Sequence, residues 1–87
     1  MEKDKEQKVT KIFLEYTEKI KSLTVPQEIQ LKLYGLFKQA NFGDNTTSEP
    51  GFFDLRGKAK WNAWNEHLGQ SKYDSMKRYI KLVKSLL

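Results

Sequence analysis

Two short segments hold the residues best suited to chemistry: Tyr34-Gly-Leu-Phe-Lys38 and Lys58-Ala-Lys-Trp-Asn-Ala-Trp-Asn65. Tyr34 and Lys38 are four apart, as are Arg56 and Lys60, so each pair shares one face of a helix. A phenol and an ammonium on one face both donate to a phosphate. The same pair also reads as a half-buried aromatic beside a solvated charge. Arg56, Lys58 and Lys60 crowd the start of a helix, where the macrodipole disfavours cations. That placement makes sense if an anion binds nearby, and a helix N-terminus helps to hold one. The set suits a phosphorylated ligand that also carries a flat ring.

Other chemistry is thinly supplied. The chain has no cysteine and one histidine, His67. That leaves no thiolate nucleophile, no disulfide framework and no His-based metal site. No nucleophile–base pair and no phosphate-cradling glycine loop stands out, so no enzymatic activity and no cofactor is expected. Sixteen Lys and Arg against eleven Asp and Glu leave a formal charge of +5. The excess favours an anionic partner: nucleic acid, an anionic membrane surface or a phosphorylated small molecule.

These residues need elements to position them. Val9, Phe13, Tyr16, Ile20 and Leu23 step by fours and threes, as one helix face requires. Ile29, Leu33, Leu36, Phe37 and Ala40 repeat the pattern. Thr24 is expected to cap this second helix, with Pro26 in its first turn and Gln27 completing a capping box. Gly43 should end it. After a polar loop, Gly51-Phe-Phe53 is expected to fold back onto the bundle. Asp54 should cap a third helix bearing Leu55, Ala59, Trp61, Trp64 and Leu68, which Gly69 ends. Trp64 is assigned to the core, and Trp61 to the core or a pocket wall. Ser71-Lys-Tyr-Asp74 should open a fourth helix, with Met76, Tyr79, Ile80, Val83 and Leu86 or Leu87 inward.

The expected fold class is therefore all-α, a four-helix bundle in one domain over residues 1–87. Residues 1–8 read as a charged extension, open to fraying. The long second connection lets helix three run parallel to helix two, giving an up-down-down-up order. No apolar run approaches the roughly 18 residues of a membrane span, and the N-terminus lacks a signal-peptide pattern. A cytoplasmic protein is expected.

Leu33-Tyr-Gly-Leu-Phe-Lys-Gln-Ala40, Gly43-Asp44, Pro50-Gly51, Gly57-Lys-Ala-Lys-Trp-Asn-Ala-Trp-Asn65 and Met76-Lys-Arg-Tyr-Ile80 follow one another along the chain. In this series the chain resembles the acyl-CoA-binding protein family over about residues 9–87. The resemblance implies an up-down-down-up bundle that binds medium- to long-chain acyl-CoA and performs no reaction. It implies that Tyr34, Lys38 and Lys60 grip the 3′-phosphate of the CoA ribose and that Phe37 stacks near adenine. Lys21 and Arg56 should meet other parts of the nucleotide, and Tyr79 should close the site from helix four. Leu31 and Ala59 should cover the acyl chain. The implied partner is acyl-CoA, with transient contacts to membranes and acyl-CoA-using enzymes. A monomer that takes no nucleic acid is expected. A small basic helical module for nucleic acid is the alternative from sequence physics alone. An acyl-CoA-consuming enzyme is a third reading.

Some positions depart from the family's pattern. Phe37 stands where many members have Tyr, and Arg56 where Lys is usual. Glu49 replaces an Arg before Pro-Gly, and Tyr16 and Thr17 replace small residues. The bulk of Tyr16 is expected to point into the groove and shorten the channel for the acyl tail.

Overall fold

A computed structural model describes residues 2–87, all of whose regular elements are helical. Helix α1 spans Glu2–Lys19 and runs into a 3₁₀ turn at Ile20–Ser22. Helix α2 spans Gln27–Phe42, α3 Leu55–Asn65 and α4 Lys72–Leu86. Helix α1 begins at Glu2, so the charged segment read as an extension forms its first turns.

The caps explain two of the helix starts. Asp54 accepts from the Gly57 N–H at 2.9 Å, and Ser71 accepts from the Asp74 N–H at 3.0 Å. Each satisfies an otherwise orphaned donor of a first turn. The start of α2 differs from expectation. Pro26 itself is the N-cap, extended at ψ 153°, and Thr24 makes no cap. Proline holds the preceding residue extended, which leaves Thr24 two residues too early. Gln30 reaches back instead, donating to the Val25 carbonyl at 3.0 Å.

The end of α3 also differs. The helix stops at Asn65, and residues 66–69 form a turn tightened by His67 N–H to Trp64 O and Leu68 N–H to Asn65 O. Leu68 is consequently exposed, as is Leu55 at the other end. Gly43 and Gly69 take positive φ of 77° and 84°, which glycine adopts without the Cβ penalty.

Helix order follows from named contacts. Thr10 meets Met76 and Tyr16 meets Lys84, so α1 and α4 run parallel. Tyr34 meets Lys60 and Lys38 meets Trp64, so α2 and α3 run parallel. Phe37 meets Tyr79, and Gly43, at the end of α2, lies beside the Lys72 side chain at the start of α4, so α2 and α4 run antiparallel. The result is the up-down-down-up bundle. Helix α2 is central, packing on α3 and α4, while α1 packs on α4. The core is Phe13, Leu33, Leu36, Ala40, Tyr79, Ile80 and Val83. Trp64 is buried beside it, as expected.

Tyr16 does not enter a groove. It packs against the core cluster on the α4 side, with the Lys84 ammonium 6.0 Å and the Lys19 ammonium 5.0 Å from its ring centre. Its ring lines neither of the two cavities beside α2, so the expected shortening of a tail channel has no structural basis. Phe52 and Phe53 do not fold back either; they are 78% and 92% exposed.

Candidate functional site

Helices α2 and α3 pack backbone against backbone at Gly35. A Cβ there would fall on the Ala63 carbonyl, 2.7 Å from its carbon. This contact brings the two chemistry-bearing segments together. The Lys60 ammonium lies 5.5 Å from the centre of the Tyr34 ring, and the Lys38 ammonium lies 6.0 Å from it. Two cations thus flank one phenol. Lys38 also sits 4.6 Å from the Phe42 ring and 4.9 Å from the Trp64 ring. Each ring face attracts a cation by about 0.5–1 kcal/mol in an exposed setting. Trp64 is fixed in turn, its indole N–H donating to Gly43 O at 2.8 Å. Trp61, half-buried, donates to Thr47 O at 3.0 Å.

Beside this cluster, between α2 and the start of α3, lies a cavity of about 790 Å³. Gln27, Gln30, Leu31 and Tyr34 line it from α2, and Leu55, Arg56, Ala59 and Lys60 from α3. Its size falls within the range of small-molecule sites. It has both characters an amphiphile needs: apolar groups in Leu31, Leu55 and Ala59, and cations in Arg56 and Lys60.

A second cavity, of about 320 Å³, is lined by Ile20, Lys21, Leu23, Val25, Gln30, Leu33, Tyr34, Phe37 and Tyr79. Gln30 and Tyr34 wall both spaces, so the two form neighbouring compartments. Phe37 is 38% exposed, and its ring centre lies 6.0 Å from that of Phe13. Tyr79 is buried edge-on against Phe13 at 5.0 Å, and its burial pushes the phenol above the ordinary value of 10.0. Lys21 is exposed and paired with Glu18 at 3.0 Å. Exposed pairs of this kind are weak, so an incoming anion can recruit the ammonium.

All nine residues singled out from the sequence thus lie around α2. Leu31, Tyr34, Arg56, Ala59 and Lys60 line the larger space, and Lys21, Tyr34, Phe37 and Tyr79 the smaller one. Lys38 lines neither, and its ammonium lies 6.0 Å from the Tyr34 ring centre. Sequence reasoning missed Gln27, Gln30 and Leu55 as wall residues and Gly35 as the close-approach point. Gln30 carried a signal, since it lies four residues before Tyr34 on the same face. Glu49, the departure before Pro-Gly, is held 3.7 Å from Lys58.

Polar groups outside the cavities brace the far end of the bundle. Fully buried Gln39 donates to Asp44 Oδ1 and to Gln70 O, both at 2.8 Å. Asp44 also accepts from the Gly69 N–H at 2.8 Å. These donors hold its carboxyl below the ordinary value of 3.8. His67 is held below 6.5, chiefly by burial. Among the described residues no group of three or more His, Cys, Asp or Glu converges as a metal site.

Comparison with known proteins extends this picture. A family model described as Acyl CoA binding protein matches residues 10–83. The Drosophila melanogaster acyl-CoA-binding protein homolog is 48% identical over 81 residues, covering 91% of this chain and 94% of that protein. The Caenorhabditis elegans acyl-CoA-binding protein homolog 1 is 60% identical over 57 residues, 66% of each. The crystal structure of Oryza sativa acyl-CoA-binding protein 2 superposes with a TM-score of 0.86 at 45% identity, over 90% of this chain and 89% of that one.

Proposed function

This chain belongs to the acyl-CoA-binding protein family, and from that premise we propose that it is a non-catalytic, cytoplasmic carrier of medium- to long-chain acyl-CoA. The observation that carries the reading is the union of two chemistries on one wall. Tyr34, Lys38 and Lys60 form a phenol–ammonium cluster, and it borders a space that is apolar at Leu31 and Ala59.

In this reading Lys38, Lys60 and the Tyr34 hydroxyl hold the 3′-phosphate of the CoA ribose. Phe37 offers its half-exposed face to adenine. Arg56 and Lys21 meet the remaining anionic or polar groups, Tyr79 backs the smaller compartment, and the tail lies along Leu31 and Ala59. Each buried CH₂ contributes about 0.8 kcal/mol. A 16-carbon tail therefore offers on the order of 10 kcal/mol before the costs of association. The phosphate grip then distinguishes acyl-CoA from free fatty acid, which shares the tail but lacks the phosphates. The protein, acting as a monomer, buffers the ligand and shields its thioester.

Calorimetry with palmitoyl-CoA, CoA and palmitate in parallel tests the proposal. Tight binding of the thioester, weaker binding of CoA and little binding of palmitate are expected. Equal affinity for palmitate and palmitoyl-CoA would remove the head-group role.

A further inference from the structure

The connection between α2 and α3 ends in an apolar tip. The Asp54 N–H donates to Gly51 O at 3.0 Å, which closes a four-residue turn with Phe52 and Phe53 at its two central positions. Their side chains project outward, 78% and 92% exposed, with the rings edge-to-face at 5.3 Å. Leu55, at the start of α3, is 76% exposed. Asp54 closes the turn and also caps α3 through the Gly57 N–H. The tip is therefore pre-organised on a helix end. Arg56 and Lys58 flank it, with the Lys58 ammonium 5.9 Å from the Phe52 ring centre.

We infer that this turn is a membrane-docking tip: Phe52 and Phe53 insert into the interface of an anionic bilayer, and Arg56 and Lys58 meet lipid phosphates. Shape favours a bilayer over a protein. A stable protein contact buries about 800 Å² on each partner, whereas two aromatic side chains bury roughly 150–250 Å² each. A convex tip offers no groove to enlarge that area, but a fluid interface closes around a protrusion. Charge favours an anionic surface, since the chain carries +5 and Arg56 lies beside the rings, while the partly exposed Lys58–Glu49 pair, 3.7 Å apart, is weak enough for lipid phosphate to recruit its ammonium. Apolar insertion plus attraction to anionic lipid is how amphipathic surfaces bind membranes. Leu55 and Arg56 also line the larger cavity, so docking brings that cavity close to the lipid. The use of this proximity for ligand transfer rests on the acyl-CoA reading; docking itself does not.

Flotation of the whole, ligand-free protein with phosphatidylcholine vesicles, with and without phosphatidylserine, tests the inference. Binding should require phosphatidylserine. The Phe52→Ser/Phe53→Ser double variant should partition at least about tenfold less, a factor equal to 1.4 kcal/mol. Leu14→Ser, at an exposed apolar position on α1, should partition like the unmodified protein. Calorimetry with palmitoyl-CoA on the double variant should give unmodified affinity, because neither phenylalanine lines a cavity. Equal partition of the double variant and the unmodified protein overturns the inference, as does binding indifferent to phosphatidylserine. Phenylalanine-dependent retention on protein-bearing microsomes, with none on protein-free vesicles, overturns it in favour of a protein partner. Loss of palmitoyl-CoA binding by the unmodified protein, with docking intact, defeats the carrier reading and leaves the docking tip standing.

Discussion

Lys38→Met separates a packing contact seen in the structure from the phosphate-binding role proposed for the same side chain. The Lys38 ammonium lies 4.6 Å from the Phe42 ring and 4.9 Å from the Trp64 ring. Losing two such contacts costs about 1–2 kcal/mol at 0.5–1 each. Methionine keeps most of the apolar stem, and its sulfur regains about 0.3–1.5 kcal/mol against aromatic rings. From the middle of each range, stability in urea should therefore fall by about 0.6 kcal/mol, and by no more than about 1.7. Binding should suffer more, because a hydrogen bond to a charged group is worth about 1.5–3 kcal/mol. Palmitoyl-CoA affinity should drop by about tenfold to a hundredfold in calorimetry. The ligand supplies the other side of the cycle. A palmitoyl-CoA lacking the 3′-phosphate should bind the unmodified protein weakly, and Lys38→Met should lose little more with it. A side chain cannot lose a contact that the ligand no longer offers. Full additivity of the two losses, or unmodified affinity in Lys38→Met, would refute the assignment of Lys38 to the phosphate.

Two further outcomes follow from the frame. Gly35→Ala should destabilise the fold by about 1–2 kcal/mol in urea unfolding. Overpacking costs about 1–3 kcal/mol, more heavily here because the clash is with the Ala63 backbone, while alanine returns up to about 1 kcal/mol of helix propensity; a variant of unchanged stability would mean that α2 and α3 do not touch there. Asp44 has a folded-state pKa below its ordinary 3.8, so its contribution is present above that value and is lost as pH falls through the folded pKa. The urea midpoint of the unmodified protein should fall further than that of Asp44→Asn on acidification below 3.8, and parallel curves would show that the Gly69 and Gln39 contacts do not couple to its charge.

Helix existence was legible because the apolar residues recur at helical spacing, and the Asp54 and Ser71 caps were legible because each is a one-residue device. The failures have physical causes of another kind. Thr24 has the right chemistry for a cap, but Pro26 fixes an extended link that puts it out of reach. Phe52 and Phe53 look destined for the core by hydrophobicity, yet the turn closed by Gly51 and Asp54 points them outward. Tyr16 lies on an apolar face, but the pattern along one helix does not say which neighbour that face meets. Gly35 reads locally as a weak helix residue. Its use appears only when Ala63, distant in sequence, lies against it. The cations and rings that gather around α2 share a short motif, whereas the Gln27, Gln30 and Leu55 walls depend on where α3 lies beside α2.

That placement depends on the α2–α3 connection. Parallel helices need a long return, and here the return does more than span the distance. Its Gly43 carbonyl accepts from Trp64 and its Thr47 carbonyl from Trp61, so two indoles of α3 are tied to it. Asp44 ties the same segment to Gly69 beyond the end of α3, and Gln39 ties α2 to both Asp44 and Gln70. The ring over which Lys38 sits is thus held by backbone outside either helix. A loop that only connected the helices would let α3 slide along α2, and a one-turn slip of about 5.4 Å would carry Lys60 away from Tyr34. The connection fixes the register of α3 on α2, and that register sets the spacing of the two ammonium groups around one phenol.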